Sequence, residues 1–179
     1  MRIISGQWRG RPLDAPKGEA TRPTSDRARE GLFSMLASRL GSFQELRAAD
    51  LFAGTGALGL EALSRGAAHC TFVERDRTAL ETLKRNIARL GAGERTDVRA
   101  QAVEHVPPPP QMFDLIMMDP PYTSGLAEPA LARAADWLAP GGWMSVELHA
   151  ETPAIPDSLT LETERRFGKA RLILLRKSH

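Results

Sequence analysis

The sequence predicts an α/β fold, a Rossmann-like, mostly parallel doubly wound sheet with an antiparallel hairpin at its C-terminal edge. From residue 48 onward, short apolar runs alternate with amphipathic stretches, an order typical of strand–helix units. The run Leu115-Ile116-Met117-Met118 is apolar at every position. Such continuity indicates a strand that is covered on both faces, as in a parallel sheet.

Each predicted element follows from a local pattern. Helix N-cap residues at 24–26 precede apolar residues at helical spacing, which predicts a helix that ends near Gly41. The last two apolar segments are joined by 167–170 alone, too few residues for a helix, so we expect them to pair as a hairpin. The predicted strands are 48–53, 69–74, 97–102, 113–118, 143–148, 159–164 and 171–176, and the later helices are 57–65, 76–90 and 127–138.

Length and composition predict one domain over residues 1–179. The chain is 42% apolar, which is enough for a core. Residues 1–23, rich in Gly, Pro and Arg, should form a basic N-terminal arm or small hairpin, and 24–179 the helix and the core. We find no run of eighteen apolar residues and no signal-peptide pattern, so we expect a soluble, cytoplasmic protein with no membrane partner, and a monomer.

Neither cysteine nor histidine usage indicates a metal site. Cys70 is the single cysteine, and we expect its thiol to be buried. The four histidines have no mutual spacing that resembles a metal site, so we predict that the protein holds no metal. Glu147 ends a predicted strand; a surface or capping role is the expectation, and a position near the site is the alternative.

Charge is distributed unevenly along the chain. Residues 1–40 contain 8 basic and 4 acidic groups, residues 161–179 contain 6 and 2, and the segment between them contains 10 and 16. If the two basic ends meet in the fold, they form a positive face suited to a polyphosphate partner. Arginines dispersed over a solvated surface are the alternative. Trp8 lies in the basic arm, where it can either stack on RNA or anchor the arm locally.

A glycine-rich turn follows the first predicted strand of the sheet. Gly54, Gly56 and Gly59 match the spacing G-x-G-x-x-G, and Glu74 stands twenty residues beyond Gly54 at the end of the next strand. In nucleotide-binding sheets such a loop lets a ligand approach the backbone, and the later carboxylate binds ribose hydroxyls. This pattern alone fits an NAD enzyme equally well.

Asp50 favours a different cofactor, because it places a carboxylate just before the glycine loop. A negative charge there repels a pyrophosphate and attracts the ammonium and sulfonium groups of S-adenosyl-L-methionine. Two unit charges about 4 Å apart interact by roughly 4 kcal/mol at an effective dielectric constant near 20. The charge therefore predicts S-adenosyl-L-methionine as the cofactor.

Asp119-Pro120-Pro121-Tyr122 stands at the carboxyl end of the strand 113–118, the edge where α/β sheets bind ligands. The lone pair of a ring-attached amine is delocalised, which makes the amine a poor nucleophile. An enzyme must therefore polarise its two N–H bonds with hydrogen-bond acceptors and move the nitrogen toward tetrahedral geometry. We predict that the Asp119 carboxylate accepts one N–H and the Pro120 carbonyl the other, while Tyr122 stacks on a flipped-out base. The alternative interpretation is that this tetrapeptide only forms a tight turn after the strand.

At these residues the chain resembles the RsmD-like family, the bacterial methyltransferases that modify the guanine N2 amine in small-subunit (16S) ribosomal RNA. The likeness covers nearly the whole chain. It includes 5–11, the segment Arg22-Pro-Thr-Ser-Asp-Arg-Ala-Arg-Glu-Gly-Leu-Phe33, the glycine loop, 72–76, Asn86, 114–122 and 140–147. The resemblance implies a class I methyltransferase fold and methylation of one guanine in ribosomal RNA, within a small-subunit particle.

The motifs and the resemblance together give the expected site. The chain departs from the family pattern at Gln101-Ala102. In the family an acidic residue usually stands here and accepts a hydrogen bond from the amino group of the cofactor's adenine. The amide oxygen of Gln101 can still accept such a hydrogen bond. The expected cofactor contacts are Asp50, Phe52, Gly54, Gly56, Glu74, Arg75, Gln101, Ala102 and Asp119. The expected catalytic residues are Asp119, Pro120 and Tyr122, and the expected RNA contacts are Arg9, Arg11, Arg22, Thr24 and Arg27.

Three other functions stay open on the sequence. A methyltransferase acting on DNA adenine or on another RNA would use the same chemistry with a different pocket. An NAD-dependent oxidoreductase would need a second domain for its substrate, and Asp50 opposes its pyrophosphate. A non-catalytic RNA-binding protein on a methyltransferase fold is disfavoured by the intact glycine loop and Asp119.

Overall fold

A computed structural model describes residues 1–16, 23–121, 125–149 and 151–179. The strands are β1 (Arg47–Leu51), β2 (His69–Val73), β3 (Thr96–Arg99), β4 (Phe113–Met118), β5 (Leu138–Leu148), β6 (Leu159–Phe167) and β7 (Ala170–Lys177). The helices are α1 (Pro23–Leu40), α2 (Ala57–Ser64), α3 (Arg77–Leu90) and α4 (Ala127–Trp137). Among these described residues, no helix is both long and apolar enough to cross a bilayer.

All seven strands form one sheet in the order β3-β2-β1-β4-β5-β7-β6. Strands β1 to β5 pair in parallel, and β7 and β6 complete one edge as an antiparallel hairpin. The predicted fold class is confirmed. The strand order reverses between β1 and β4, and open α/β sheets bind their ligands at such a switch point.

Helices cover both faces of the sheet, and each face has its own core. On one face α1, α2 and α3 pack with the N-terminal arm; on the other, α4 packs with the segment 103–106. The strand β1 is buried at four of its five positions, consistent with coverage on both sides. Cys70 lies fully buried beneath α2, as predicted.

Strand β5 is the element that differs most from the prediction, since it begins at Leu138 instead of 143. The stretch Pro140-Gly141-Gly142 looks like a loop in the sequence. In the structure it belongs to the strand, because the β4–β5 register shifts between Phe113 and Leu115 and accommodates the extra residues. Gly141 adopts a φ of 77°, which a side-chain-bearing residue rarely does.

The N-terminal arm forms a small hairpin with a single antiparallel bridge between Arg2 and Pro12. Ile3, Trp8 and Leu13 are buried in the core beneath it. The Trp8 side chain is only 6% exposed, and the Arg95 guanidinium lies 5.4 Å from its ring centroid. Trp8 is therefore a local anchor and not an exposed stacking platform.

A buried carboxylate fastens the arm to the core. Glu61 of α2 is fully buried and accepts hydrogen bonds from the backbone N–H groups of Ile4 (2.8 Å) and Ser5 (3.0 Å). It also accepts from the Arg65 guanidinium at 2.9 Å. Hydrogen bonds to charged groups are among the stronger ones in proteins, and here they replace the hydration that Glu61 loses on burial.

Helix α1 joins the two basic ends of the chain. Its Arg29 donates to the carbonyl of Arg2 in the arm, and its Gly31 packs against the Phe167 ring at the tip of the β6–β7 hairpin. A Cβ added at Gly31 would lie 2.1 Å from a carbon of that ring, so glycine permits the close approach. The arm, α1 and the hairpin therefore adjoin on one side of the molecule.

We predict that Glu61→Ala destabilises the protein by roughly 2–4 kcal/mol, because it leaves the Ile4 and Ser5 N–H groups and the Arg65 guanidinium without their shared acceptor. Glu81→Ala is the matched control, since Glu81 is an exposed α3 residue paired only with Arg77 at 3.8 Å. Denaturant unfolding monitored by circular dichroism measures both. Equal free energies of unfolding for the two variants would contradict the anchoring role.

Candidate active site

Four adjacent strands end at the same edge of the sheet and bring four carboxylates together. Asp50 lies in β1, Glu74 directly follows β2, Asp119 directly follows β4, and Glu147 lies near the end of β5. These strands are neighbours in the order β2-β1-β4-β5. The result is an acidic cleft at the switch point of the sheet.

The backbone of the glycine loop turns sharply between β1 and α2. Phe52 has a φ of 61° and Gly54 a φ of 57°. The turn is held by a hydrogen bond from the Ala53 N–H to the Val73 carbonyl (2.9 Å) and by one from the Gly54 N–H to Glu74 Oε1 (2.8 Å). A left-handed conformation is unfavourable for a bulky residue such as Phe52, and such strain often marks functional sites.

Of the three glycines in the fingerprint, Gly54 is the one that faces open space. A Cβ on Gly54 would meet no heavy atom within 4 Å, and Gly54 lines the cleft. A Cβ on Gly56 would lie 2.4 Å from Leu83, and one on Gly59 would lie 2.3 Å from the Phe72 ring. Gly56 is therefore a packing position that lets α3 approach the loop, and its predicted contact with the cofactor stays a prediction.

Asp50 is almost fully buried, with 1% of its surface exposed. Its Oδ2 accepts a hydrogen bond from the Gly59 N–H at 2.9 Å. The pKa of this carboxyl is raised to about 8, mainly by burial and to a smaller extent by the nearby Glu74, against the opposing effect of the Gly59 hydrogen bond. Without a cationic ligand, Asp50 therefore holds a proton near neutral pH, which its sequence position alone did not indicate.

Two connected recesses open at the acidic edge. The first, of about 580 Å³, has apolar walls that include Val103 and Leu126. It is also lined by the predicted residues Phe52, Glu74, Arg75, Gln101, Ala102, Asp119 and Pro120. The second, of about 550 Å³, is lined by Asp50, Gly54, Asp119 and Glu147, among others. Phe52 and Asp119 belong to both, so they stand where the two recesses meet.

Asp119 and Glu147 lie side by side across the β4–β5 pair, with carboxylate oxygens within 4.8 Å of each other. The pKa of Asp119 is raised well above its usual value, first by the loss of solvation around the carboxyl and then by the negative charges of Glu147 and Asp50. The expectation that Glu147 has a surface or capping role is wrong: the residue belongs to the site.

Asp119, Glu147 and His149 bring one oxygen or nitrogen atom each within 4.8 Å of one another. Glu147 Oε2 lies 3.3 Å from His149 Nε2. Such a set also has the spacing of a cation site, so the absence of a metal remains a prediction. Sequence spacing could not find this cluster, because Asp119 comes from a different strand from the other two residues.

A buried amide connects the arm to the glycine loop. Asn86 of α3 is fully buried; its Nδ2 donates to the carbonyls of Thr55 (3.0 Å) and Asp14 (3.1 Å), and its Oδ1 accepts from the Asp14 N–H (2.8 Å). A polar residue on the apolar face of a helix was the available signal in the sequence. Asn86 therefore couples the position of the arm to the shape of the cofactor loop.

The remaining predicted residues divide into two groups. Arg9, Arg11 and Arg27 are exposed, and Arg11 also donates to the Arg89 carbonyl at 2.8 Å. Arg22, Tyr122 and the side chain of Thr24 lie outside the described part of the structure, so their predicted roles stay predictions.

Comparison with known proteins assigns the chain to a family. The model of the family described as "Conserved hypothetical protein 95" matches residues 1–176. The chain belongs to this family. It is 40% identical over 173 residues to the ribosomal RNA small subunit methyltransferase D of Escherichia coli, covering 94% of this chain and 86% of that protein. It is 34% identical to the putative rRNA methyltransferase YlbH of Bacillus subtilis, covering 99% of both.

Solved structures confirm the class I methyltransferase fold. The putative methyltransferase yhhF of Escherichia coli superimposes with a TM-score of 0.88 and is 38% identical over 99% of this chain and 98% of that one. That protein therefore shares with this chain both the sheet and the elements around it. The predicted resemblance is confirmed along the chain as a whole.

We predict that Gly56→Ala destabilises the protein more than Gly54→Ala, by roughly 1–3 kcal/mol, because both substitutions strain a positive φ and only the first forces a methyl group into Leu83. Gly54→Ala should keep the fold and instead obstruct the cleft. Thermal unfolding of the two purified variants tests this. The prediction fails if Gly54→Ala is the less stable protein.

Proposed function

We propose that the protein transfers a methyl group from S-adenosyl-L-methionine to the exocyclic N2 amine of a guanine in small-subunit ribosomal RNA. The observation that carries the proposal is the position of Asp119, an acceptor directly after β4, where the two recesses meet. The names of the relatives and the conserved fold support it. A cofactor with its adenosine in the first recess and its amino-acid part beside Asp50 and Gly54 in the second would present its methyl group near this carboxylate, where the target base is proposed to bind.

The residues around the cleft suit a cationic cofactor with an adenosine group. Gly54 leaves open space at the loop, Asp50 lies behind it, and the apolar walls of the first recess suit a nucleobase. Glu74 already accepts from the Gly54 and Asp76 N–H groups, each at 2.8 Å. Each carboxylate oxygen has a second lone pair, so Glu74 can also accept from ribose hydroxyls.

Catalysis on this chain consists of positioning and proton acceptance. When bound, S-adenosyl-L-methionine would supply an electrophilic methyl group on a sulfonium, and the S–CH₃ bond would break to leave the neutral thioether S-adenosylhomocysteine. Asp119 accepts an N–H of the target amine, and the Pro120 carbonyl is the proposed acceptor of the other, which leaves the nitrogen lone pair aimed at the methyl group. As the N–CH₃ bond forms, one amine proton leaves to Asp119 and then to water.

The RNA is proposed to bind the side of the molecule where the arm, α1 and the β6–β7 hairpin adjoin. Arg9, Arg11 and Arg27 are exposed there. Arginine contacts to phosphates give affinity without reading the base sequence. Base identity must then be read inside the cleft, by the groups that surround Asp119.

The proposal is tested by transfer of labelled methyl from S-adenosyl-L-methionine to small ribosomal subunits from cells that lack this activity. Nucleosides from the RNA are then separated. Label in N2-methylguanosine is the expected result. Label in methylated adenine of RNA or DNA, or cofactor binding with no transfer to any nucleic acid, would overturn the proposal.

We predict that Asp119→Ala lowers turnover by at least about a hundredfold, the range seen when a positioned acid–base group is lost. Cofactor binding and the free energy of unfolding should change little, because the variant also relieves repulsion with Glu147. Single-turnover methyl transfer, with cofactor affinity measured in parallel, gives the result. Near-normal turnover would refute the assigned role.

We predict that charge reversal at Arg9 and Arg11 weakens RNA binding and lowers the slope of log affinity against log salt by about one for each lost phosphate contact. Arg99→Glu is the matched control, because the Arg99 side chain lies on the opposite face of the sheet, next to 107–110. Filter binding over a range of salt concentrations measures the slopes. Identical slopes for the arm variant and the wild type would remove the arm from the interface.

A further inference from the structure

Glu147 stands beside Asp119 because of the sheet register. Met118 of β4 pairs with Val146 of β5 in parallel, so the next residue of each strand, Asp119 and Glu147, lies alongside the other. Their carboxylate oxygens lie within 4.8 Å, and both side chains line the second recess. A base whose amine reaches Asp119 therefore presents the adjoining atom of its edge to Glu147.

The three bases that carry a ring-attached amine differ in the ring atom that adjoins it. In guanine the N2 amine lies next to N1–H, a second donor. In adenine the N6 amine lies next to N1, and in cytosine the N4 amine lies next to N3; both of these ring nitrogens are acceptors. An ionised carboxylate is an acceptor only, so it pairs with a donor and repels an acceptor lone pair. Two adjacent carboxylates thus match the guanine edge.

We propose that Glu147 accepts the N1–H of the target guanine while Asp119 accepts from N2, and that Glu147 thereby determines the base specificity of the enzyme. This inference rests on the proposed function and names the residue that selects its base. Guanine offers one N–H donor to each of the two neighbouring carboxyl groups. Adenine would leave Glu147 facing a lone pair inside the recess.

His149 supports this orientation of Glu147. Its Nε2 lies 3.3 Å from Oε2 of Glu147, and His149 directly follows β5 and lines the first recess. His149 acts through Glu147 as a positioning residue. Oε1 is then the Glu147 oxygen that is proposed to accept from the base.

The test replaces the target guanine by 2-aminopurine, which keeps the 2-amino group and lacks N1–H. The probe is placed by ligation into the ribosomal RNA at the position mapped in the function assay, and kcat/KM is measured for both RNAs. We expect the wild type to prefer guanine by at least about thirtyfold, within the range for an unpaired buried polar group. Glu147→Gln should lower this preference by about tenfold or more, since its amide can either accept or donate.

Glu151→Gln is the matched control: it is an exposed acidic residue four positions along the chain and does not line the second recess. It should keep the wild-type preference. A wild-type preference near one would overturn the inference whether or not Glu147→Gln folds, and so would an unchanged preference in a Glu147→Gln protein that binds the cofactor normally. Transfer to guanine in either case leaves the proposed function intact, whereas label on another base overturns both.

Discussion

The structure depends on one constraint, which is that four parallel strands end together and crowd four carboxylates into one cleft. Asp50, Glu74, Asp119 and Glu147 repel one another there, and two of them have raised pKa values as a result of burial and of this repulsion. A cationic cofactor and a base edge rich in N–H donors relieve the same repulsion. Charge thus accounts for both ligands of the proposed reaction.

The surrounding packing holds this cleft in shape. Glu61 fastens the arm to α2, and Asn86 ties the arm to the glycine loop through Asp14 and Thr55. Helix α1 contacts both the arm and the β6–β7 hairpin. The surface proposed for RNA is therefore connected to the cofactor loop by direct contacts between the arm, Asn86 and the loop. Binding of RNA at the arm can therefore influence the geometry of the loop through contacts that already exist.

Much of the site could be predicted from the sequence, because its signals are local. The glycine loop, Glu74 and Asp119 each follow a strand with a clear apolar pattern, and parallel strands place such residues at one edge. A surface or capping role was favoured for Glu147 because its proximity to Asp119 depends on the β4–β5 register, which brings together residues 28 positions apart. The positive φ of Phe52 has no compositional signal, and the start of β5 depends on a bulge opposite Phe113.

The central claim, that the cleft selects its cofactor by charge, is tested most directly by calorimetric titration of S-adenosyl-L-methionine from pH 6 to pH 9. A bound cation lowers the pKa of Asp50 from about 8, so binding must release a proton below that pH. Affinity should then rise with pH, by up to about tenfold per unit, and should rise less for S-adenosylhomocysteine, which lacks the sulfonium charge. Equal pH dependence for the two ligands would contradict the account.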